Sequence, residues 1–242
     1  MTIEESKIFL KQKGYTSFNL KDFNFDYYNL LLPFKCNETH NLKEHIKGLR
    51  ADCPGLNIQK ESYNSFQEAE FEKNSISLIE TSAFAQIYYQ QHFGPVFQNV
   101  MSKSNNSNVF YEKIIPDIIG YYFDIDKSIE LTSASTYLTY YDKGCLLNKH
   151  SDGTGTGRIC ALLIYLNEDY NKDDGGILIL ENEYDVLPIF GNVAIIDLQS
   201  YDIQHAVSKV TGGIGRYAIL SFVKTKENEF IHSSADRKKS LI

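Results

Sequence analysis

Hydrophobic residues follow two different spacings along this chain, and the spacing changes part-way. Apolar positions recur at helical spacing over Glu4–Leu10 and again over Glu68–Tyr89, where Leu78 and Ile79 lie on the same predicted face. The run SKSNNSN, residues 102–108, is polar and rich in turn-forming residues, which predicts an exposed loop. We therefore predict helices in the first part of the chain and a change of structure after this loop.

From Ile129 onward the apolar residues alternate or form short runs of strand length, separated mostly by glycine, asparagine or aspartate. Eight such runs follow one another: ELTSASTYLTYY, GCLLNKH, RICALLIYLN, GGILILEN, YDVLPIF, NVAIIDL, IQHAVSKV and GRYAILSFV. Helices gathered before eight short strands predict an α+β fold, in which a jelly roll or a related closed β structure is buttressed by N-terminal helices. We expect residues 1–110 to form a helical or mixed region packed on the core, residues 111–230 to form the jelly roll, and residues 231–242 to be a polar tail.

The composition of the chain limits the cellular compartments and the classes of binding partner that we expect. The chain of 242 residues is 43% hydrophobic, which is enough for a sizeable core, and its formal charge of -7 provides no general attraction to nucleic acid or to anionic lipid. Its four cysteines lie far apart in no metal-binding spacing, and Cys160 falls in an apolar run typical of a core residue. The N-terminus lacks a signal-peptide pattern, and no later stretch is long and apolar enough to cross a bilayer. We expect a reduced, cytoplasmic protein that binds neither nucleic acid nor membrane.

Candidate chemistry begins with a histidine and an aspartate two residues apart. His150 and Asp152 fall on a strand-type pattern, so their side chains project to the same face, and His205 lies on a later alternating strand that a closed β structure can bring alongside them. Two neutral imidazoles and a carboxylate on one side of a metal leave the opposite positions open, the arrangement of non-haem Fe(II) oxygenases. Each piece alone is weak evidence, because a His-x-Asp pair often arises by chance and a lone strand histidine is more often a core residue.

A charged residue on an apolar strand adds to this picture. Arg216 opens the run GRYAILSFV, so we expect its guanidinium to point into the barrel, where it needs an anion. Arginine binds a carboxylate through two parallel hydrogen bonds, and a dicarboxylate with its other end on the metal would satisfy it. Tyr165 and Tyr140 are candidate phenolic donors to the same carboxylate, although simple packing of either ring in the core explains the pattern equally well.

Taken in order, these motifs resemble the catalytic core of the 2-oxoglutarate and Fe(II)-dependent dioxygenases. Within that superfamily they are most similar to the prolyl 4-hydroxylase branch, which includes the hypoxia-inducible-factor prolyl hydroxylases. The resemblance covers about residues 135–223 and is carried by an ordered set of motifs: HSD at 150–152, GRIC at 157–160, YLN at 165–167, the acidic turn before GGIL, the segment QHAVSKV and the strand GRYAILSFV. The ordered set is far more specific than any one of its members.

The resemblance implies a double-stranded β-helix that uses Fe(II), 2-oxoglutarate and O2. It implies metal ligands His150, Asp152 and His205, and cosubstrate contacts from Arg216, Tyr165 and Tyr140. The implied reaction is hydroxylation of an unactivated C–H bond of an amino-acid side chain, peptidyl or free, with release of succinate and CO2. The aspartate at 152 favours hydroxylation over halogenation, because halogenase relatives have a small residue at that position.

Several parts of the chain depart from the family pattern or lie outside it. The interval from His205 to Arg216 is longer than in the closest relatives, with an extra glycine in TGGIGR, and we expect the added residues to bulge in the turn. The glycines at 153, 155 and 157 should let the loop after the metal motif adopt backbone angles closed to other residues. No resemblance extends before Lys113, and we expect that part of the chain to help select the substrate.

Two alternatives from other classes stay open. A cupin-like protein would bind metal and small molecules without oxygenase turnover and would have no need of Arg216. A non-catalytic interaction module would present loops on a jelly roll and would bind no divalent metal.

Overall fold

The computed structural model describes residues 1–32, 35, 58–59, 76–79, 113–141, 143–154 and 157–225, with the backbone alone at 58–59, 76–79 and 132–140. The helices of this part of the chain are α1 (Ile3–Lys13), α2 (Leu20–Phe23), α3 (Phe25–Leu31) and α4 (Ile115–Phe123). The strands are β1 (Tyr15–Asn19), β2 (Ile58–Gln59), β3 (Ile76–Ile79), β4 (Leu131–Tyr141), β5 (Leu147–His150), β6 (Cys160–Tyr165), β7 (Leu178–Leu180), β8 (Tyr184–Val186), β9 (Asn192–Asp197), β10 (His205–Val207) and β11 (Arg216–Thr225). Within these residues, no helix combines the length and the apolar character needed to span a bilayer.

The strands form two sheets. One contains seven strands in the order β1-β9-β6-β11-β4-β3-β2, and the other contains four in the order β5-β10-β7-β8. Strands β4 to β11 correspond one by one to the eight runs predicted from the sequence, and the chain passes repeatedly from one sheet to the other as it follows them. This is the path of a jelly roll, so the predicted fold class is confirmed.

Strand β6 is buried along its whole length because it has packing partners on both faces. Cys160 belongs to the apolar cluster that the helices share with the seven-stranded sheet, whereas Tyr165 belongs to the cluster between the two sheets. Cys160 is a free, fully buried cysteine, as expected of a core residue, and burial raises the pKa of its thiol. The alternation of β6 therefore sends Tyr165 toward the space between the sheets.

Helix α1 confirms the predicted N-terminal helix and has well-formed ends. Thr2 and Glu5 form a capping box, in which the Thr2 side chain accepts from Glu5 N at 3.2 Å and Thr2 N donates to Glu5 Oε2 at 2.7 Å. Gly14 ends the helix with a φ of 81°, and a Cβ at Gly14 would lie 2.3 Å from Cγ of Tyr201. Glycine is thus required here by backbone angle and by space.

Helices α1 and α4 pack on the outer face of the seven-stranded sheet. Ile118 and Tyr122 of α4 are fully buried in the cluster that includes Leu10 of α1, and the hydroxyl groups of Ser6 and Tyr122 lie 2.6 Å apart. Strand β1, which the hydrophobic pattern did not predict, follows α1 directly and pairs antiparallel with β9. The N-terminal segment therefore adds both a helix and a strand to the jelly roll.

The predicted helix over Glu68–Tyr89 is wrong where the structure describes it. Residues Ile76–Ile79 form β3, which pairs antiparallel with β4, with Leu78 opposite Leu138. The edge of the long strand β4 offers backbone hydrogen bonds that override a helical periodicity, and isoleucine, which is β-branched, suits a strand. The rest of that segment, the predicted loop at 102–108 and the tail at 231–242 lie outside the described residues.

Replacing Ile118 with alanine should lower the free energy of unfolding by about 2 to 5 kcal/mol, because it leaves a cavity in the cluster shared by the helices and the sheet. Ile8→Ala is the matched control: Ile8 lies on α1 but is 53% exposed, so its loss should change stability by no more than about 0.5 kcal/mol. Urea denaturation followed by far-UV circular dichroism measures both values. Equal losses for the two variants would contradict the packing of α4 on the sheet.

Candidate active site

Two neighbouring strands of the four-stranded sheet carry the predicted histidines. Strands β5 and β10 pair antiparallel with His205 directly opposite His150, so the two imidazoles lie on the same face, with ring centroids 4.2 Å apart. Asp152 follows β5, and its carboxylate oxygens lie 3.8 Å from Nε2 of His150 and 3.6 Å from Nε2 of His205. Strand pairing therefore brings the three side chains to one point.

In each histidine, a hydrogen bond at Nδ1 fixes the ring so that Nε2 faces Asp152. Nδ1 of His150 lies 2.9 Å from the carbonyl oxygen of Asn148, and Nδ1 of His205 lies 3.2 Å from that of Ile203. Because a carbonyl oxygen can only accept a hydrogen bond, each Nδ1 carries the proton and donates it, which leaves the lone pair on Nε2. This tautomer is the one that coordinates a metal through Nε2.

The spacing and protonation of these groups suit a single divalent cation. One ligand atom from each of the three residues lies within 4.8 Å of the other two. Two ligand atoms that each lie about 2.1 Å from a cation are separated by about 3 to 4 Å. Burial lowers the pKa of His205, Asp152 opposes that shift, and His150 adds to it, so the neutral ligand form is favoured at neutral pH.

The residue between the first two candidate ligands ties the two ligand-bearing segments together. The Ser151 hydroxyl donates to the carboxylate of Asp202, which lies just before β10, and accepts from the backbone N–H of Gly153 at 3.0 Å. Gly153 and Gly157 have φ values of 77° and 73°, the left-handed angles predicted for this glycine loop, while Gly155 lies outside the described residues. The metal motif is therefore followed by a turn that only glycine forms easily.

Arg216 is buried at the start of β11, as predicted, and is 2% exposed. Its guanidinium carbon lies 4.8 Å from the ring centroid of Tyr141 and 5.0 Å from that of Tyr165, both of which belong to the cluster between the sheets. Within the described residues, the guanidinium donates to the Tyr165 hydroxyl at 3.3 Å, and its Nε has no hydrogen-bond partner. Among the described residues, the buried Arg216 therefore contacts phenol groups and no anion. Burying a charge in this way is energetically unfavourable unless an anionic ligand binds it.

Val207, two residues after His205 on β10, packs in the cluster that also contains Tyr141 and Tyr165, the two rings that contact Arg216. Arg216 also helps to lower the pKa of His205, although burial is the largest cause. Burial raises the pKa of Tyr165, and Arg216 partly opposes that shift. The Tyr165 hydroxyl is therefore neutral, accepts from the guanidinium and retains its own proton to donate to an anion. A metal-binding group and an anion-binding group face one interior.

The tyrosine that contacts Arg216 from β4 is Tyr141, which the sequence did not single out. In the β4–β11 register, Arg216 lies opposite Tyr141 and Tyr217 lies opposite Tyr140. The side chain of Tyr140 lies outside the described residues, so its role at the cosubstrate stays a prediction. Strand register identifies Tyr141 as an additional wall of the anion-binding space.

The segment between His205 and Arg216 contains the turn from β10 to β11. This turn is held by the acidic turn before β7, since the N–H groups of Thr211 and Gly212 donate to the carbonyl of Asp174 at 2.7 Å and 3.3 Å. Gly176, from the GGIL motif, packs against Arg216: a Cβ at this glycine would lie 3.1 Å from the arginine Cβ. The turn from β10 to β11 is therefore anchored on both sides of the point where Arg216 enters β11.

The geometry predicts that the metal-free protein binds one divalent cation per chain in a Co(II) titration followed by calorimetry. Asp152→Ala should weaken binding about 100-fold or more, because it removes the anionic ligand. Asp185→Ala is the matched control, since Asp185 lies exposed on β8 of the same sheet and should leave the affinity unchanged. Equal weakening by the two substitutions would contradict the metal site.

A comparison with protein families identifies the part of the chain that carries this geometry. The model of the 2OG-Fe(II) oxygenase superfamily matches residues 136–224, a range that contains both histidines, Asp152, Tyr165 and Arg216. Among curated proteins, no sequence matches the chain.

Solved structures share the fold at low sequence identity. A Pseudomonas putida prolyl-4-hydroxylase is 14% identical, with a TM-score of 0.52 and coverage of 91% of this chain and 97% of that one. A Phytophthora capsici prolyl 4-hydroxylase is 15% identical, with a TM-score of 0.56 and coverage of 98% and 70%. A Trichoplax adhaerens prolyl hydroxylase, in complex with a hypoxia-inducible-factor oxygen degradation domain peptide fragment, is 14% identical, with a TM-score of 0.54 and coverage of 93% and 90%. The chain thus has the fold of the prolyl 4-hydroxylases, and residues 136–224 of its jelly roll match the model of the 2OG-Fe(II) oxygenase superfamily, whose members use Fe(II), 2-oxoglutarate and O2.

Proposed function

We propose that the protein is a hydroxylase that acts on an unactivated C–H bond of an amino-acid side chain, with His150, Asp152 and His205 as the iron ligands. The observation that carries this proposal is the convergence of these three side chains in a fold that also buries an arginine whose Nε finds no partner in the described chain. The donor set of two imidazoles and one carboxylate fits Fe(II), and the guanidinium fits the distal carboxylate of 2-oxoglutarate.

When bound, Fe(II) and 2-oxoglutarate would supply the oxidising chemistry, in which O2 is consumed, 2-oxoglutarate becomes succinate and CO2, and the substrate gains a hydroxyl group. The chain holds the ligand nitrogens in the coordinating tautomer through the carbonyls of Asn148 and Ile203. Asp152 provides the anionic ligand, and a carboxylate here, rather than a small residue, favours hydroxylation. The protein's work is therefore to orient its ligands before the metal binds.

Residues of the inner face of the seven-stranded sheet orient the cosubstrate. Arg216 neutralises its distal carboxylate, and the Tyr165 hydroxyl donates a second hydrogen bond to it. Apolar side chains of the same cluster, including Leu163 and Ala218, exclude water and so strengthen both interactions. We propose that Tyr141 completes the wall around this carboxylate, whereas Tyr140, opposite Tyr217 in the register, stays a predicted neighbour of the cosubstrate outside this wall.

The proposed substrate is a free amino acid or a side chain within a peptide or protein. The complex of the Trichoplax adhaerens neighbour with a peptide fragment supports the second form. The net charge of -7 disfavours nucleic acid and acidic partners. We further propose that residues 1–110 help to select the substrate, that residues 111–230 form the catalytic core and that residues 231–242 are a polar tail. The pairing of β1 with β9 supports an N-terminal region packed on the core.

Adding Fe(II) and 2-oxoglutarate to the protein without oxygen should produce a weak visible charge-transfer band, and His150→Ala should abolish it. Arg216→Met should bind Co(II) normally but require at least about 30-fold more 2-oxoglutarate for the same band, because a buried carboxylate loses its counter-charge. Arg158→Met is the matched control: this arginine lies over Phe222, with its guanidinium carbon 4.2 Å from the ring centroid, and has no contact with Arg216 among the described interactions.

Two results would redirect the assignment. A band that is equally strong with and without Arg216 would remove the proposed cosubstrate site. Metal binding without conversion of labelled 2-oxoglutarate to succinate would favour the cupin-like alternative, and absence of metal binding would favour the non-catalytic module.

Incubation with amino acids and a peptide library should give at least one product heavier by one oxygen atom, formed only with Fe(II), 2-oxoglutarate and O2. Mass spectrometry of the products, with 18O2 as the oxygen source, identifies the substrate and the origin of the oxygen. The Asp152→Ala variant is the control for nonspecific oxidation. A halogenated product in the presence of halide, rather than a hydroxylated one, would contradict the reaction class.

A further inference from the structure

The asparagine of the YLN motif holds the backbone on both sides of Arg216. Asn167 lies just past the end of β6 and is 1% exposed. Its Nδ2 donates to the carbonyl oxygen of Gly215 at 2.6 Å, and its Oδ1 accepts from the N–H of Tyr217 at 2.9 Å. These two peptide groups immediately precede and follow the arginine, so one side-chain amide spans the residue that is proposed to bind the cosubstrate.

This amide continues the sheet where the strand itself stops. The β6–β11 ladder ends with Tyr165 opposite Ala218 and with Leu166 N donating to Tyr217 O at 3.1 Å. Beyond that point the side chain of Asn167 supplies one donor and one acceptor, as a peptide group of a longer strand would. Its own backbone is fixed in turn, since its carbonyl oxygen accepts from Phe190 N at 2.6 Å.

Within the part of the chain that the structure describes, the guanidinium of Arg216 has weak side-chain contacts, so its position depends on this backbone support. Its hydrogen bond to Tyr165 is long, at 3.3 Å, and the remaining described contacts are with aromatic ring faces. The arginine stem also packs closely against Gly176, where an added Cβ would lie 3.1 Å from Cβ and 3.3 Å from Cδ of Arg216. The direction of the stem is therefore set by the backbone angles of Arg216 and by a neighbour without a side chain.

We propose that Asn167 is a positioning residue for the cosubstrate: its amide fixes the backbone around Arg216 so that the guanidinium meets the distal carboxylate. This inference rests on the proposed function. No other common side chain of this size replaces both bonds, since aspartate cannot donate to Gly215 and leucine leaves two buried peptide groups without partners.

Asn167→Asp tests the role with almost no change of shape. The probes are 2-oxoglutarate and 2-oxopentanoate, which has a methyl group in place of the distal carboxylate and so cannot engage Arg216. With the Fe(II)-loaded protein under anaerobic conditions, Asn167→Asp should weaken 2-oxoglutarate about tenfold, because a carboxylate oxygen then faces the Gly215 carbonyl. The affinity for 2-oxopentanoate should change less than about twofold.

Asn192→Asp is the matched control. Its Nδ2 donates to Leu187 O at 3.1 Å and its Oδ1 accepts from Asn19 Nδ2 at 3.0 Å, so it holds a loop of the same sheet by a similar pair of bonds without contacting Arg216. It should lower the melting temperature about as much as Asn167→Asp but leave the preference for 2-oxoglutarate over 2-oxopentanoate unchanged.

The outcomes separate this inference from the function on which it rests. If the wild-type protein shows no preference for 2-oxoglutarate over 2-oxopentanoate, the proposed function itself fails. If the wild-type protein shows the preference and Asn167→Asp retains it in full, or loses affinity equally for both probes, the positioning role is overturned. Should Asn167→Asp fail to fold, Asn167→Ser, which keeps a small polar side chain too short to span both peptide groups, must show the same selective loss for the inference to stand.

Discussion

The antiparallel pairing of β5 with β10, with His205 opposite His150, is the constraint on which the rest of the structure depends. A slip of one residue would turn one imidazole to the other face of the sheet and separate it from its partner and from Asp152. The carbonyls that hold both Nδ1 atoms lie two residues before each histidine, so each segment fixes the tautomer of its own histidine. Register, rather than any one residue, assembles the candidate metal site.

The buried guanidinium is the second constraint, because burying a charge without an anionic partner lowers the stability of the fold. Arg216 is 2% exposed and contacts phenol rings rather than an anion within the described chain. Two hydrogen bonds from Asn167 hold the backbone on either side of Arg216, and the arginine stem packs closely against Gly176. A dicarboxylate that bound Arg216 and a metal at once would therefore find its positively charged partners already in position.

Much of the core was predictable because its signals are local. The alternation from residue 129 onward predicted all eight jelly-roll strands, and the ordered motifs selected the three side chains that converge. Contacts that depend on strand pairing were not predictable: only the register with β11 places Tyr141 opposite Arg216. The same limit explains β3, whose helical spacing yields to pairing with β4, and Asn167, whose partners lie about fifty positions away along the chain.

A crystal structure of the protein with Mn(II) and 2-oxoglutarate, grown without oxygen, tests the central claim most directly. The account predicts one metal within about 2.3 Å of Nε2 of His150, Nε2 of His205 and a carboxylate oxygen of Asp152, with the distal carboxylate of 2-oxoglutarate paired to Arg216. A metal bound elsewhere, or a cosubstrate whose distal carboxylate points away from Arg216, would contradict it.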